Sequence, residues 1–142
     1  MIVFDVNVLL YAYSPAPPEH DRARECLEDA FSGNELVGLP WQTISAFIRI
    51  LTHPGLPGVR RPVKEILEIV QSWIEQPNVR ILSPGERHWP LFRQMLLEGQ
   101  ARGPMTSDAQ LAALTIESGG VLYTTDRDFT RFPGLGWHNP LA

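Results

Sequence analysis

The chain lacks the features that mark secreted, membrane-spanning and strongly basic proteins. Its single cysteine, Cys26, cannot form an internal disulfide, so we expect a reducing compartment, the cytoplasm. No apolar run approaches the roughly 20 residues of a bilayer-spanning helix, and no signal-like segment precedes the first strand-like residues. A formal net charge of −4 argues against a surface coated in positive charge for nucleic acid. It does not exclude a nuclease with a carboxylate metal site.

Lysine and histidine are too few or too scattered for two other kinds of metal chemistry. The sole lysine is Lys64, whereas a metal-dependent phosphatase of small molecules would need an aspartyl nucleophile and a catalytic lysine, so this alternative ranks low. The spacing of the four histidines is not that of a zinc site; they are His20, His53, His88 and His138. A site built from carboxylates is the better candidate.

Strand-like and helix-like segments alternate along the 142 residues, which suffice for one domain with a single hydrophobic core. Short apolar runs predict strands at 2–5, 35–38, 79–82 and 121–123, with a short edge strand at 137–141. Helical spacing predicts helices at 7–13, 19–31, 40–51, 62–76, 86–101 and 106–118. Thr106 or Ser107 is expected to cap the last helix, which ends at a Gly-Gly pair. The alternation predicts an α/β fold with a mainly parallel sheet covered on both faces.

Three aspartates stand at the ends of these predicted elements. Asp5 follows the first strand, Asp126 follows the strand at 121–123, and Asp108 opens a helix after a Gly-Pro break. In an open α/β sheet, ligands bind outside the carboxyl ends of the strands. Acids that meet there would form an oxygen-rich site, which suits a hard cation such as Mg²⁺ or Mn²⁺. Asp128 is a further candidate ligand in the same turn as Asp126.

Each carboxylate also has a purely structural interpretation. Asp5 could cap the helix that follows it, because aspartate is a favoured cap. Asp108 could stabilise its helix as an acid in the first turn. Asp126 and Asp128 could be solvated charges of a turn that Phe129 anchors to the core.

Other polar residues near these acids could complete a site. Asn7 could be a turn residue or a second polar group facing the site. Thr124 or Thr125 could orient a carboxylate or a metal-bound water. Arg49 could project near the mouth of the site from the helix at 40–51, although a solvated position fits it equally well.

The order and positions of these motifs resemble the PIN-domain ribonucleases, and most of all the toxin half of VapBC toxin–antitoxin pairs. The motifs are hydrophobic-Asp-x-Asn, Ser-Asp-Ala-x-Leu-Ala-Ala and Thr-Thr-Asp-x-Asp-Phe, together with the segments 40–50 and 131–137. The resemblance covers essentially the whole chain, as one PIN domain over 1–142. It implies a three-layer α/β/α sandwich around a mainly parallel sheet of four to five strands. It also implies Mg²⁺- or Mn²⁺-dependent endoribonuclease activity, with Asp5, Asp108 and Asp126 as catalytic metal ligands.

The chain departs from the family on the helix after the second strand. Many PIN nucleases carry a glutamate there, whereas the polar choices around Ser45 are Gln42 and Thr43. Either the site uses three or four aspartates, or a serine holds a metal-bound water. The departure also leaves open a catalytically silent PIN fold that acts as a binding module.

The resemblance further implies RNA as the substrate, a small cognate antitoxin and a homodimer. Arg60, Arg61 and Lys64 could contact the RNA backbone. The antitoxin is expected to bind an apolar groove near the acidic pocket. Candidates for the wall of that groove are Trp41, Phe47, Ile48 and the loop 54–57.

Overall fold

The computed structural model describes residues 1–14, 18–55 and 61–142. Its strands are β1 (Ile2–Phe4), β2 (Val37–Pro40), β3 (Val79–Leu82), β4 (Val121–Tyr123) and β5 (Trp137–His138). The α-helices are α1 (Val6–Tyr13), α2 (Glu19–Ser32), α3 (Trp41–Leu51), α4 (Val63–Ile74), α5 (His88–Glu98) and α6 (Thr106–Ser118). Short 3₁₀ helices lie at Gly103–Met105 and Arg127–Arg131. None of the helices in the described ranges is long and apolar enough to cross a membrane.

The strands form one parallel sheet in the order β3-β2-β1-β4-β5, with helices on both faces. Alternate residues of β1 point to opposite faces. Phe4 packs into a core with residues of α1, α2, α3 and α4, whereas Val3 packs into a second core with residues of α5 and α6. Because both faces are covered, a buried strand can be apolar along its whole length. The fold is the predicted α/β class, a three-layer α/β/α sandwich with five strands.

The order of the strands places a topological switch point between β1 and β4. The chain leaves β1 toward β2 on one side of the sheet, and later returns to β4 on the other side. Phe4 pairs with Tyr123, and the backbone N–H of Asp5 donates to the carbonyl of Tyr123 at 3.0 Å. The residues that follow β1 and β4 therefore emerge side by side at the carboxyl edge, where ligands bind in such sheets.

The boundaries of two strands differ from the prediction. The second strand runs over Val37–Pro40 rather than 35–38, because its register is set by pairing with both β1 and β3, while Glu35 remains exposed. The predicted edge strand at 137–141 is reduced to Trp137–His138. Pro140 lacks the N–H that a longer parallel ladder would need.

The prediction that Thr106 or Ser107 caps α6 is wrong. The 3₁₀ helix Gly103–Met105 runs directly into α6, so neither side chain stands at a free helix start. The hydroxyl of Ser107 instead donates to the carbonyl of Pro104 at 3.2 Å. The other end follows the prediction, since Gly119 ends the helix in the left-handed conformation with φ of 72°.

The predicted groove wall on α3 must also be corrected. Phe47 is fully buried, with its ring centroid 4.7 Å from that of Trp73 and 5.6 Å from that of Tyr13. It therefore belongs to the core and cannot face a partner. Trp41 keeps 57% of its surface exposed and remains available. Residues 56 and 57 of the predicted loop, and Arg60, lie outside the described residues.

Candidate active site

Asp5 serves both as a helix cap and as a carboxylate of the candidate site. One oxygen, Oδ1, accepts from the backbone N–H of Val6 at 2.7 Å and so caps α1. The other oxygen, Oδ2, accepts from the hydroxyl of Thr124 at 2.8 Å. Burial raises the pKa of this carboxyl group, although the two hydrogen bonds oppose that shift. The capping and functional interpretations of Asp5 are therefore compatible.

Thr124 is a fully buried node that joins the ends of β1 and β4. Its hydroxyl donates to Asp5 and accepts from Asn7 Nδ2 at 3.3 Å and from the backbone N–H of Asp126 at 3.0 Å. The side-chain oxygen of Asn7 accepts in turn from the backbone N–H of Thr125 at 3.4 Å. Asn7 thus faces the site, and this network fixes the orientation of Asp5.

Replacement of Thr124 by valine should destabilise the fold measurably. Valine has nearly the same shape, but it leaves the half-buried amide of Asn7 and the backbone N–H of Asp126 without their acceptor, and Asp5 without a donor. We expect a loss of about 1–3 kcal/mol in the free energy of unfolding, which urea denaturation would measure. Thr130→Val is the matched control, because that hydroxyl is exposed and donates only to the carbonyl of Arg127. Equal losses in both variants would contradict the role of Thr124 as a node.

Asp126 organises the turn that follows β4. Its Oδ1 accepts from the backbone N–H of Asp128 at 2.9 Å and caps the short helix Arg127–Arg131. Phe129, in the middle of that helix, is buried against the core and lies 5.8 Å from Phe132 between ring centroids. The expectation that Phe129 anchors the turn is confirmed. Asp128 itself is exposed.

Asp108 lies in the first turn of α6 and joins the other three carboxylates electrostatically. Its pKa is raised to about 6, first by burial and then by the negative charges of Asp5, Asp126 and Asp128. Arg131 opposes this shift. Such coupling requires the groups to lie near one another. Asp5 and Asp108 line one cleft, while hydrogen bonds link Asp5 through Thr124 to Asp126 and on to Asp128, so the four predicted carboxylates lie at the carboxyl edge of the sheet.

A cleft of about 250 Å³ opens between α3 and α6 beside these acids. Its floor is fixed by the buried hydroxyl of Thr43, which donates to the carbonyl of Phe4 at 2.9 Å. Gln42 Nε2 donates to the carbonyl of Ser107 at 3.2 Å and joins the two walls. The lining residues are Asp5, Val6, Gln42, Thr43, Ala46, Arg49, Ser107, Asp108 and Leu111.

The α3 wall of the cleft carries no carboxylate. Ala46 and Arg49 line the cleft on the same helix face as Gln42, one turn and two turns after it. Ser45, the serine considered as a holder of a metal-bound water, is exposed and does not line the cleft. The acids of this site thus come from β1, from α6 and from the turn after β4.

Arg131 is a site residue that the sequence did not single out. Its Nη1 donates to the carbonyl of Gly99 at 3.3 Å and contacts the sulfur of Met105 at 3.2 Å, while its charge lowers the pKa of Asp108. It ties the turn after β4 to the segment before α6. The sequence signal was only its place three residues after Asp128, which does not reveal a contact with a distant helix.

The parallel sheet in this order, with carboxylates at its switch point, places the chain among the doubly wound α/β proteins, and the model of the PIN domain family matches residues 2–135. The chain belongs to the PIN domain family, as its motifs predicted. It is 35% identical over 141 residues to Ribonuclease VapC33 of Mycobacterium tuberculosis, with 99% of each chain covered.

Solved structures share this fold at low sequence identity. The structure of VapBC2 from Rickettsia felis, bound to a DNA fragment from their promoter, matches with a TM-score of 0.72 and 15% identity over 98% of each chain. A toxin–antitoxin complex from Klebsiella pneumoniae matches with a TM-score of 0.65 and 16% identity, over 99% of this chain and 98% of the other.

Proposed function

We propose that the chain is a metal-dependent endoribonuclease and the toxin of a toxin–antitoxin pair. The observation that carries the proposal is the convergence of Asp5, Asp108 and Asp126 beside one cleft at the switch point of the sheet. The whole-length relationship to a curated ribonuclease supports RNA as the substrate. The toxin role rests on the similarity to VapC proteins.

The donor set of the site fits Mg²⁺ or Mn²⁺. The described residues that line the cleft offer carboxylate, hydroxyl and amide oxygens and neither sulfur nor imidazole, and hard divalent cations prefer oxygen ligands. Within the described ranges, no three His, Cys, Asp or Glu side chains lie close enough to hold one ion directly. Mg²⁺ commonly binds through one or two carboxylates and keeps several waters. Burial and, after it, the neighbouring negative charges raise the pKa of Asp108, and a bound cation would oppose both effects by favouring the charged carboxylate.

The residues of the chain would hold the cation and position the RNA. Asp5, Asp108 and Asp126 are the proposed metal-site residues, with Asp128 as a further candidate; one or two of them would bind the ion directly and the others through its waters, and Thr124 keeps Asp5 in a fixed orientation. A bound Mg²⁺ would supply an activated water and stabilise charge on the phosphate. The cleft would admit an RNA strand with unpaired bases, which is the form that proteins read most readily.

The expected products are a 5′-phosphate and a 3′-hydroxyl, formed when water attacks the phosphodiester in line with the leaving oxygen. Among the described residues that line the cleft there is no histidine, so a histidine acid–base pair acting on the 2′-hydroxyl has no candidate there.

The proposal predicts RNA cleavage that depends on a divalent cation. The purified protein should cleave a mixed-sequence RNA with Mg²⁺ or Mn²⁺ and leave it intact in excess EDTA. Gel electrophoresis with end labelling would give the rate and identify the product ends. Equal cleavage of the RNA with EDTA and with Mg²⁺ would contradict the metal-dependent mechanism.

A catalytically silent binding module is the second candidate, because α3 places Ala46 rather than an acid in the wall of the cleft. Isothermal titration calorimetry with Mg²⁺ or Mn²⁺ separates the two. If the chain is a module without a metal site, the wild type and Asp5→Asn should give the same titration, because no ion binding depends on the carboxylate. Carboxylate-dependent binding together with cleavage would exclude it.

We also propose a small antitoxin as the partner, and a homodimer as the assembly. Trp41 is exposed beside the cleft wall and is the candidate anchor for an apolar segment of the antitoxin. A basic side chain of the antitoxin would pair with the carboxylates in place of the cation, since an arginine fork binds carboxylates well in a partly dry pocket. Inhibition should therefore weaken as the Mg²⁺ concentration rises. The test is co-expression with a small gene that lies next to the gene of this chain. If neither a complex nor relief of toxicity results, this partner is refuted.

A further inference from the structure

The two walls of the cleft differ in charge, and the difference suggests how an anionic strand is held. Asp5 and Asp108 lie on the side of β1 and α6, where their charges reinforce one another. The α3 wall opposite them carries Gln42, Ala46 and Arg49, which share one helix face at spacings of four and three residues. Among the described residues that line the cleft, Arg49 alone carries a positive charge.

Arg49 also forms no ion pair with a carboxylate in the part of the chain that the structure describes. The arginine ion pairs found there join Arg24 to Glu28 and Arg61 to Glu65. Arg131, the other cation near the acids, is held by the carbonyl of Gly99 and the sulfur of Met105. Arg49 is an exposed residue that lines the cleft, so it is accessible to a ligand there.

The helix that carries Arg49 is held rigidly against the sheet. The hydroxyl of Thr43, in the first turn of α3, donates to the backbone carbonyl of Phe4 at the end of β1. Phe47, one turn further along the helix, is fully buried. The position of Arg49 relative to Asp5 is therefore set by the core. Because its backbone is already fixed, only the side chain of Arg49 has to be ordered when a ligand binds.

We propose that Arg49 is a substrate-binding residue that takes a backbone phosphate of the RNA strand in the cleft. The inference rests on the proposed nuclease function. A cleft lined by carboxylates repels a polyanion, and one guanidinium opposite them supplies an anchor for phosphate oxygens, which it can bind with two parallel hydrogen bonds. The phosphate would be seated between the α3 wall and the acids.

The first test compares Arg49→Ala, Arg49→Lys and the control Arg93→Ala. Arg93 is also an exposed arginine on a helix, but it does not line the cleft. With an RNA oligonucleotide that the wild type cleaves, Arg49→Ala should lower kcat/KM by about 10- to 100-fold, the size of a lost hydrogen bond to a charged group. Arg49→Lys should recover part of the loss as a point charge, and Arg93→Ala should behave as wild type.

The salt dependence separates a phosphate contact from a structural effect. A plot of the logarithm of RNA affinity against the logarithm of salt concentration has a negative slope. In Arg49→Ala this slope should become less steep by about 0.7, as expected for one lost contact to single-stranded RNA. Fluorescence anisotropy with labelled RNA, in buffer that contains Ca²⁺ in place of Mg²⁺, would measure the RNA affinity at each salt concentration. An unchanged slope and unchanged kcat/KM would overturn the inference while leaving the nuclease proposal intact. Wild-type protein that neither binds nor cleaves RNA would overturn both.

A neutral phosphate analogue locates the contact on the RNA. Methylphosphonates introduced one at a time, at positions other than the cleaved bond, should reveal a position where the wild type loses cleavage rate. The same substitution should have little further effect in Arg49→Ala, because the contact is already gone. Full additivity of the two losses at every position would show that Arg49 contacts no phosphate.

Discussion

Asp126→Asn is expected to reduce RNA cleavage by about 10³-fold, which corresponds to about 4 kcal/mol of lost transition-state stabilisation. The fold should survive, because an asparagine Oδ1 can still accept from the backbone N–H of Asp128 and keep the cap of the short helix. The substitution removes one of the negative charges that crowd Asp108. Single-turnover cleavage at saturating Mg²⁺ measures the effect, with thermal melting as the check on folding.

Asp29→Asn provides the matched control, since it removes one negative charge from an exposed position on α2 that does not line the cleft. It should leave the cleavage rate within about twofold, because isolated surface charges contribute little. A variant of Asp126 that cleaves RNA at the wild-type rate would refute its role as a ligand. A variant that unfolds would indicate that the aspartate acts mainly as a cap.

The equivalent change at Asp5 is expected to affect stability as well as cleavage. An asparagine there can keep the bond from the backbone N–H of Val6, but its amide group would meet the hydroxyl of Thr124, which already accepts from two donors. We therefore expect Asp5→Asn to abolish cleavage and also to lose about 1 kcal/mol of stability. Asp126→Asn should lose none, so urea denaturation of both variants distinguishes the two positions.

The layers and strand count could be predicted from the sequence because the signals are local. Apolar runs such as Ile2–Phe4 are short, and each is followed by a polar residue at the strand end. A parallel sheet then places every such end at the same edge, so the convergence of Asp5 and Asp126 follows from the class of fold. The order of the strands brings these two residues to neighbouring positions, and no local pattern encodes that order.

The parts that the sequence did not predict depend on contacts between distant segments. The burial of Phe47 follows from the packing of α3 against α4 and α1, although its helical spacing already placed it on the apolar face. The contact of Arg131 with Gly99 and Met105 joins segments about thirty residues apart. The residues of the α3 wall depend on which side of the helix faces α6, since that decides whether Ser45 or Ala46 borders the cleft.

Asp108→Asn should stabilise the metal-free protein at neutral and alkaline pH while reducing cleavage at least as much as the change at Asp126. The pKa of Asp108 in the folded protein is about 6, above its ordinary value of 3.8. Its protonated form therefore favours folding, a contribution that is complete below about pH 4 and is lost as the pH rises through about 6. Asparagine is never charged and escapes this loss.

The expected gain for the variant at pH 8 in EDTA is about 1–2 kcal/mol in the free energy of unfolding, after allowance for screening by solvent. At pH 4 the two proteins should be equally stable, so urea denaturation at both pH values tests the sign of the effect. Mg²⁺ should stabilise the wild type more than the variant, because an ion that binds only the folded state raises its stability. A variant that is less stable than the wild type at pH 8 would show that the charged Asp108 stabilises the first turn of α6 and does not destabilise the folded protein.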